Sequence, residues 1–464
     1  MGGTVIENMW TAVVLGIVVV LAVLAVRKIR KDRKAGIHSC GGNCGACALG
    51  ELCAGVGTCD GAQDIKTNKA EASAEIQIPK HVREALNTLN DAGHEAFIVG
   101  GCVRDSIMRK TPNDWDVCTS ASPAETKVCF AGKKTIDIGM QHGTIGVVFA
   151  LGGDATNESA AEHHEVVEIT TYRVDGEYKD SRHPESVNFT KRIEEDLARR
   201  DFTMNAIAYN PKIGNVDPYG GQADIENKKI KAVGNPEKRF AEDALRVMRG
   251  LRFAAQLGFD IDGETEAAMD AQAETVRHIS AERVQVELSK LIEGVWADRV
   301  FGKYGEILVK AVPGIECAPV GRFSNMKSVR LAVVFPKETE ERLRELRFDN
   351  KTVAEATALA RLFAGDVPED RIAIRRCIRS EGLEIATLYM SALGREQEIY
   401  DIIARGECCT LRQLDITGKD LIDMGITDGK KIGATLEKLL DEVIEERVAN
   451  EKKELMEVVK KWEQ

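Results

Sequence analysis

The stretch AFIVGGCVRDSIMRKTPNDWDV, residues 96–117, sets an apolar run against a double glycine, an Arg-Asp pair and two aspartates one residue apart. Four apolar residues in succession read as a short buried strand. Glycines after a strand and before a helix permit a tight turn whose backbone N–H groups face an anion, and Arg104 adds a positive charge for phosphate. In DWDV the side chains alternate. A strand there sends Trp115 and Val117 into the core and projects Asp114 and Asp116 from the opposite face. Two carboxylates about 7 Å apart along one strand repel unless a cation lies between them, and hard oxygen ligands favour Mg²⁺. A solvated strand face is the plain alternative for an isolated D-x-D; the neighbouring phosphate-type turn favours chemistry.

Outward from this stretch, Val82, Leu86 and Leu89 recur at helical spacing and Gly93 is placed to end that helix. Downstream, EVVEITTYRVDGEY from residue 165 alternates, aligning Val166, Glu168, Thr170 and Tyr172 on one face. Glu168 is therefore a candidate third carboxylate from a neighbouring strand, or an edge-strand glutamate facing water. His142-Gly143-Thr144 reads as a turn before a strand, with His142 a candidate for direct chemistry, while His163 and His164 fall in a polar insertion. Asn235 can cap a helix with Pro236 at its first position, which predicts one long helix over 236–257. On it Asp243, Arg246 and Arg249 step by three and share a stripe, with Leu245, Val247, Met248, Leu251 and Phe253 as packing faces. A salt-bridge stripe is the bland reading; next to a Mg²⁺ site, cations suit a triphosphate.

The chain has 464 residues, 44% hydrophobic and 30% charged, enough for several cores and about three folded units. Its later part is rich in Ala, Leu, Glu, Lys and Arg, which favours helix. A net charge of −11 argues against coating nucleic acid by bulk charge and requires any such site to be a local basic groove. No GxxxxGK[ST] loop is present, so a P-loop ATPase is not supported.

The N-terminus is a separate object. Met9 to Val26 is an uncharged run of eighteen residues, followed at once by Arg27, Lys28, Arg30, Lys31, Arg33 and Lys34. Length and flank predict a single transmembrane helix at the N-terminus, with the remainder cytoplasmic and the basic residues against anionic lipid. Cys40, Cys44, Cys47, Cys53 and Cys59 follow among many glycines. They could hold a soft metal, iron or zinc, or form a metal-free tether. This segment resembles small Cys-rich membrane proteins associated with ferrous iron transporters. Residues 60–78 read as a linker.

The glycine-Arg-Asp turn, DWDV, HGT, TTYR, LARRDFTMNAIAY from 197, EDALRVMRGLRFAAQLGF from 242, ERVQVEL from 282 and the tail from Ile416 occur in a definite order. From about residue 79 onward the chain is similar to bacterial tRNA nucleotidyltransferases, the CCA-adding enzymes of the class that includes bacterial poly(A) polymerases. That resemblance implies an α/β nucleotidyltransferase head, a mixed sheet with helices, over 79–220. An all-helical neck (221–280), body (281–390) and tail (391–464) would follow, gripping the acceptor arm and 3′ end of tRNA. It assigns two Mg²⁺ ions to Asp114 and Asp116, and triphosphate contacts to Gly101 and Arg104. It gives the nucleotide's sugar and phosphates to Arg200 and Asp201, and the base and nearby phosphate to Asp243, Arg246, Arg249 and Arg252. The implied reaction is in-line nucleotidyl transfer from CTP and ATP with release of pyrophosphate. Full CCA addition, addition of C or A alone and poly(A) synthesis share this chemistry. From a different class, the chain would be a catalytically silent, membrane-tethered RNA-binding or iron-responsive protein.

Overall fold

A computed structural model describes residues 76–139, 143–151, 163–175, 187–323 and 325–463. The predicted membrane helix, the Cys-rich segment, His142 and the insertion over 152–162 lie outside these residues. Among the described residues, no helix is long and apolar enough to cross a membrane.

The first helix, α1 (Lys80–Asp91), buries Val82, Ala85, Leu86 and Leu89, and Gly93 follows with φ +87°. The core starts before it, because Ile76 and Ile78 are already buried, so the folded part extends upstream of Pro79. Strand β1 (Ala96–Val99) is fully buried and feeds α2 (Gly101–Ile107) through Gly100. Then come β2 (Asp116–Thr119), α3 (Pro123–Cys129), β3 (Thr135–Gly139), β4 (Thr144–Leu151), β5 (His163–Thr171), the hairpin β6 (Arg173–Asp175) and β7 (Val187–Phe189), α4 (Ile193–Ala198), β8 (Ala208–Asn210) and β9 (Gly214–Val216).

One seven-stranded sheet runs β3-β4-β5-β2-β1-β8-β9. It is mixed: β2 and β5 are parallel and the other neighbours antiparallel. Alternation sends Ile98, Val117, Ile145, Val147, Val167 and Ile169 to the same core as the apolar face of α1. Phe97, Val99 and Cys118 face the other way, where Leu197 of α4 and Tyr172 join them. The register pairs Asp116 with Glu168 and Cys118 with Thr170. Asp116, Glu168, Thr170 and Val166 therefore share this second face.

Two expectations change. β2 begins at Asp116, so Asp114 sits two residues ahead of it in an exposed loop, and only Asp116 is held by the sheet. Pro112 is the physical reason, since it fixes φ and cannot donate to a ladder just upstream. Tyr172 follows the end of β5 at Thr171 but keeps to the expected face, fully buried with Phe97, Val99 and Cys118. His163 and His164 open β5 opposite Leu151 and Ala150 instead of lying in an insertion.

After α5 (Gly221–Glu226) and β10 (Lys229–Ile230) comes the predicted helix start: Asn235 accepts the Lys238 N–H at 2.9 Å and Pro236 follows it. The helix is not continuous. α6 (Pro236–Glu242) ends at Asp243, whose backbone is extended at φ −146°, ψ 102°, and α7 (Leu245–Leu257) starts afresh. Asp243 Oδ1 takes the Leu245 N–H at 3.1 Å, so a side chain that competes with the backbone converts one helix into two. Gly258, left-handed at φ +72°, stops α7.

β11 (Asp260–Ile261) pairs parallel with β10, so the neck over 221–280, expected to be all-helical, carries a short strand pair where β-branched Ile230 and Ile261 are buried. The rest is helical: α8 (Gly263–Gln272), α9 (Ala281–Ile292), α10 (Ala297–Ala311), α11 (Lys327–Val334), α12 (Thr339–Glu345), α13 (Asn350–Ala364), α14 (Arg371–Glu381), α15 (Leu383–Ala392), α16 (Glu396–Ala404), α17 (Gly418–Asp423), α18 (Gly429–Ile444) and α19 (Lys452–Trp462). One apolar cluster runs from Ile76 to Cys409; a second, separate cluster spans Cys408 to Val459.

Candidate active site

Where β1 meets α2, Gly100 stands at φ +82°, and a Cβ there would lie 3.0 Å from a guanidinium nitrogen of Arg200. A side chain at this position is strained by the positive φ and crowds the Arg200 guanidinium. The turn opens onto a cleft of about 580 Å³. Asp114, Asp116, Gly101, Arg200, Asp201, Asp243, Arg246, Arg249 and Arg252 line it, as does Arg104. Residues from 101 to 252 in sequence thus converge as expected, and Glu168 stays outside the lining. A larger hollow of about 900 Å³ lies between α8 and α10, but its Asp270 is neutralised by Lys310 at 2.6 Å. Volume alone does not mark the chemistry.

The cleft divides into acids without cationic partners and acids bound to arginine. Asp114, Asp116 and Glu168 form no ion pair among the described residues. Asp116 opens to the cleft, yet the surrounding protein pushes its carboxyl above the ordinary value; Arg200 opposes that and Asp114 adds to it. Burial likewise raises Glu168, followed by the charges of Asp116 and Asp114. Such uncompensated oxygen donors suit a hard cation such as Mg²⁺. Among the described residues no group of three or more His, Cys, Asp or Glu is placed to hold a metal by itself.

The remaining acids are structural anchors for arginine. Asp196, 1% exposed, accepts from Arg199 at 2.9 Å and Arg200 at 3.3 Å. Burial pushes its carboxyl up, and the two guanidiniums reverse this to leave it below the ordinary value. Asp201 is also buried. Its Oδ1 takes the Phe202 N–H at 2.8 Å and Asn205 Nδ2 at 3.1 Å, and its Oδ2 takes Arg249 Nε at 2.8 Å. Burial opposes ionisation, but Arg249 and these hydrogen bonds bring its pKa down to about 2. Asn205 Oδ1 in turn accepts from Arg104 at 2.8 Å, so Arg104, Asn205, Asp201 and Arg249 form a continuous buried chain. On α9, Glu287 pairs with Arg252 at 2.8 Å and Arg283 donates to Asp243 Oδ2 at 2.8 Å.

Arg246 donates to Glu242 Oε2 at 2.7 Å, the Arg239 carbonyl at 2.8 Å and the Arg199 carbonyl at 3.1 Å. Three of a guanidinium's five N–H groups are committed, and Asp243 keeps lone pairs beyond Leu245 N–H and Arg283. Both retain capacity toward a ligand.

Sequence reasoning missed Arg199, Asn205, Arg283 and Phe253 as lining residues, and Asp196 and Glu287 as anchors. A signal existed for some: Arg283 and Glu287 stand four apart, one helical face, in ERVQVEL. Phe253 read only as packing. Its ring lies under Arg252 at 4.0 Å, Arg104 at 5.2 Å and Arg249 at 5.5 Å, contacts worth about 0.5–2 kcal/mol each.

Residues 96–231 match the family profile of the Poly A polymerase head domain, 258–302 the RNA and SrmB-binding site of polymerase A, and 329–459 tRNA nucleotidyltransferase domain 2. Residues 10–60 match the FeoB-associated Cys-rich membrane protein. The CCA-adding enzyme of Bacillus velezensis is 33% identical over 399 residues, 82% of this chain and 97% of that protein. That of Listeria monocytogenes is 34% identical over 407 residues, 81% of this chain and 96% of that one. The crystal structure of the Bacillus stearothermophilus CCA-adding enzyme in complex with CTP superposes with TM-score 0.67 at 30% identity, covering 82% of this chain and 98% of that chain. A Thermotoga maritima CCA-adding enzyme complexed with tRNA shares the fold, with TM-score 0.59 at 20% identity, covering 84% and 97%.

Proposed function

This chain belongs to the family of CCA-adding tRNA nucleotidyltransferases, and on that premise we propose that it builds or repairs the 3′-terminal CCA of tRNA from CTP and ATP. The observation that carries the reading is the cleft itself: an unpaired aspartate pair faces arginines that buried carboxylates hold in place. Opposite charges are thus ready on the two sides of a triphosphate.

The 3′-hydroxyl oxygen of tRNA attacks the α-phosphorus, the bond to the β-phosphate oxygen breaks and pyrophosphate leaves. Asp114 and Asp116 would hold Mg²⁺, which we assign as two ions; when bound, Mg²⁺ lowers the hydroxyl's pKa and neutralises phosphate charge. Glu168 adds negative charge one strand away. Arg104, Arg200, Arg249 and Arg252 hold the triphosphate, and Gly101 lets it approach the backbone. Asp201 acts through others, fixing Arg249 and, by way of Asn205, Arg104.

Base choice falls to Asp243 and Arg246. Cytosine and adenine both present an amino donor beside a ring-nitrogen acceptor, whereas uracil and guanine present a carbonyl beside an N–H. One acceptor and one donor accommodate the first pair and oppose the second. The break at Asp243 supports this assignment, because it leaves the carboxylate in the cleft lining that Arg246 also forms, with Arg283 holding one oxygen.

The head comprises the described residues from 76 to 220, the neck 221–280, the body 281–390 and the tail 391–464, the helical parts gripping the acceptor arm. The uncharged run 9–26 and its basic flank support a single-pass anchor (1–35) against membrane lipid, with the catalytic part cytoplasmic. In the Cys-rich segment and linker (36–78), Cys44 and Cys47 would be the core of a soft-metal site for iron or zinc, with a metal-free tether as the alternative.

Incubating the full chain with Mg²⁺, labelled nucleotides and a tRNA lacking its 3′ end tests the reaction. Sequencing should read CCA. A long adenylate tract, or C or A alone, would replace full CCA addition with the corresponding partial activity. Recovery of the protein in the soluble fraction would remove the anchor, and full metal content after replacing Cys44 and Cys47 would remove the metal.

A further inference from the structure

We propose that Phe253 is a positioning residue that holds Arg104, Arg249 and Arg252 as one preassembled clamp for the triphosphate; the inference rests on the nucleotidyl-transfer reading above. The three cations come from two elements, α2 and α7, and each meets an acid. Arg104 pairs with Asp105 at 2.8 Å, Arg249 with Asp201 at 2.6 Å and Arg252 with Glu287 at 2.8 Å. The polar links join them only two at a time: Asn205 and Asp201 connect Arg104 to Arg249, and Glu287, 3.8 Å from Arg249, connects Arg249 to Arg252. The ring of Phe253 meets all three, because each Cζ lies within 5.5 Å of its centroid. Like charges gathered this closely repel, and an aromatic face offsets that repulsion without neutralising the charge that phosphate needs.

The ring is itself fixed. Phe202 meets it edge-on, 5.9 Å between centroids at 88°, and Phe202 packs in turn against Phe240 at 6.5 Å. Phe253 is only 5% exposed, too little to serve as a stacking platform for a base. Its contribution must pass through the arginines.

Phe253→Leu keeps apolar bulk and removes the π face. In the full chain it should raise KM for both CTP and ATP about tenfold while kcat stays within about threefold, as loss of preorganised ground-state binding requires. Inorganic tripolyphosphate, which has no base, should bind about tenfold more weakly by calorimetry. Phe253→Tyr, retaining the face, should restore both readouts, and Phe149→Leu, a matched loss of a buried, edge-on-packed phenylalanine on β4 outside the cleft lining, should change neither. Unchanged tripolyphosphate binding in Phe253→Leu, failure of the tyrosine, or equal effects from Phe149→Leu would overturn the clamp. Tripolyphosphate binding needs no turnover: a wild-type chain that binds it but extends no tRNA loses the reaction and keeps the clamp.

Discussion

Arginine–carboxylate pairs hold two regions of this molecule together, and the two use them differently. Around the cleft, Asp196, Asp201 and Glu287 are buried, 1–8% exposed. At the junction between α14 and α18 the pairs lie near the surface. Arg376 meets Glu445 at 2.5 Å, Arg379 meets Glu437 at 2.6 Å and also pairs with Asp441, and Arg371 pairs with Glu446. Cys408 packs into the second core and its neighbour Cys409 into the first, so this seam separates two cores. Only Arg375 is buried there, donating to the carbonyls of Cys408 at 2.9 Å and Val443 at 3.1 Å. Burial makes a pair rigid and costly to break, whereas exposure makes it adjustable and cheap. A cleft that must hold phosphates in one geometry uses the first kind.

The acids without arginine partners stand outside both classes and give the largest expected effect. Asp114→Asn or Asp116→Asn should lower nucleotide incorporation on the order of 10³-fold or more, through several kcal/mol of lost charge stabilisation, with tRNA affinity nearly unchanged. Turnover close to wild type in both variants would remove them from the site.

Next comes the buried class. Asp201→Asn takes the buried carboxylate from Arg249, whose side chain is 34% exposed and keeps some solvent, and should cost about 3 kcal/mol in denaturant unfolding. The pH dependence has a definite sign: a carboxyl depressed from 3.8 to about 2 contributes stability above the first value and loses it as pH falls toward the second. Wild type should therefore weaken through that window, and Asp201→Asn should lack this component. Parallel acid limbs would show that the pair does not anchor the cleft.

Base selection is smaller. Asp243→Ala and Arg246→Ala should each relax rejection of UTP and GTP by about 1–3 kcal/mol per unsatisfied partner, measured as ratios of kcat/KM. Undiminished discrimination in either would move the base pocket elsewhere.

The exposed seam should give least. Glu445→Gln and Arg376→Gln, singly and together, should yield a coupling below about 1 kcal/mol that shrinks as salt is added. A coupling as large as that of Asp201 with Arg249 would erase the distinction between the two regions.

Local chemistry made much of this legible. The strand, turn and helix from Ala96 follow from an apolar run, a glycine that must adopt φ +82° and the residues after it. The Asn235-Pro236 helix start and the burial of Val82, Leu86 and Leu89 follow equally from capping and period. Hidden were features that depend on what lies across the cleft. The helix over 236–257 breaks at Asp243, where the aspartate caps Leu245 and Arg283 waits 40 residues downstream. Phe253 obeys the packing period of α7, and nothing in that period distinguishes a core phenylalanine from one beneath three guanidiniums.

The sequence by itself determined the strand, turn and helix that open the site, the mainly helical character beyond the head and, through the resemblance that its ordered motifs carry, the family, the mixed-sheet head and most of the residues that line the cleft. Only the tertiary structure decided which acids are spoken for. Asp116 and Asp201 are the same residue type in similarly charged surroundings of sequence. One begins a strand facing open space and remains unpaired, whereas the other is buried where Asn205 and Arg249 converge. Whether a carboxylate awaits a cation or already has one depends on long-range contacts and desolvation, and neither has a local period to read.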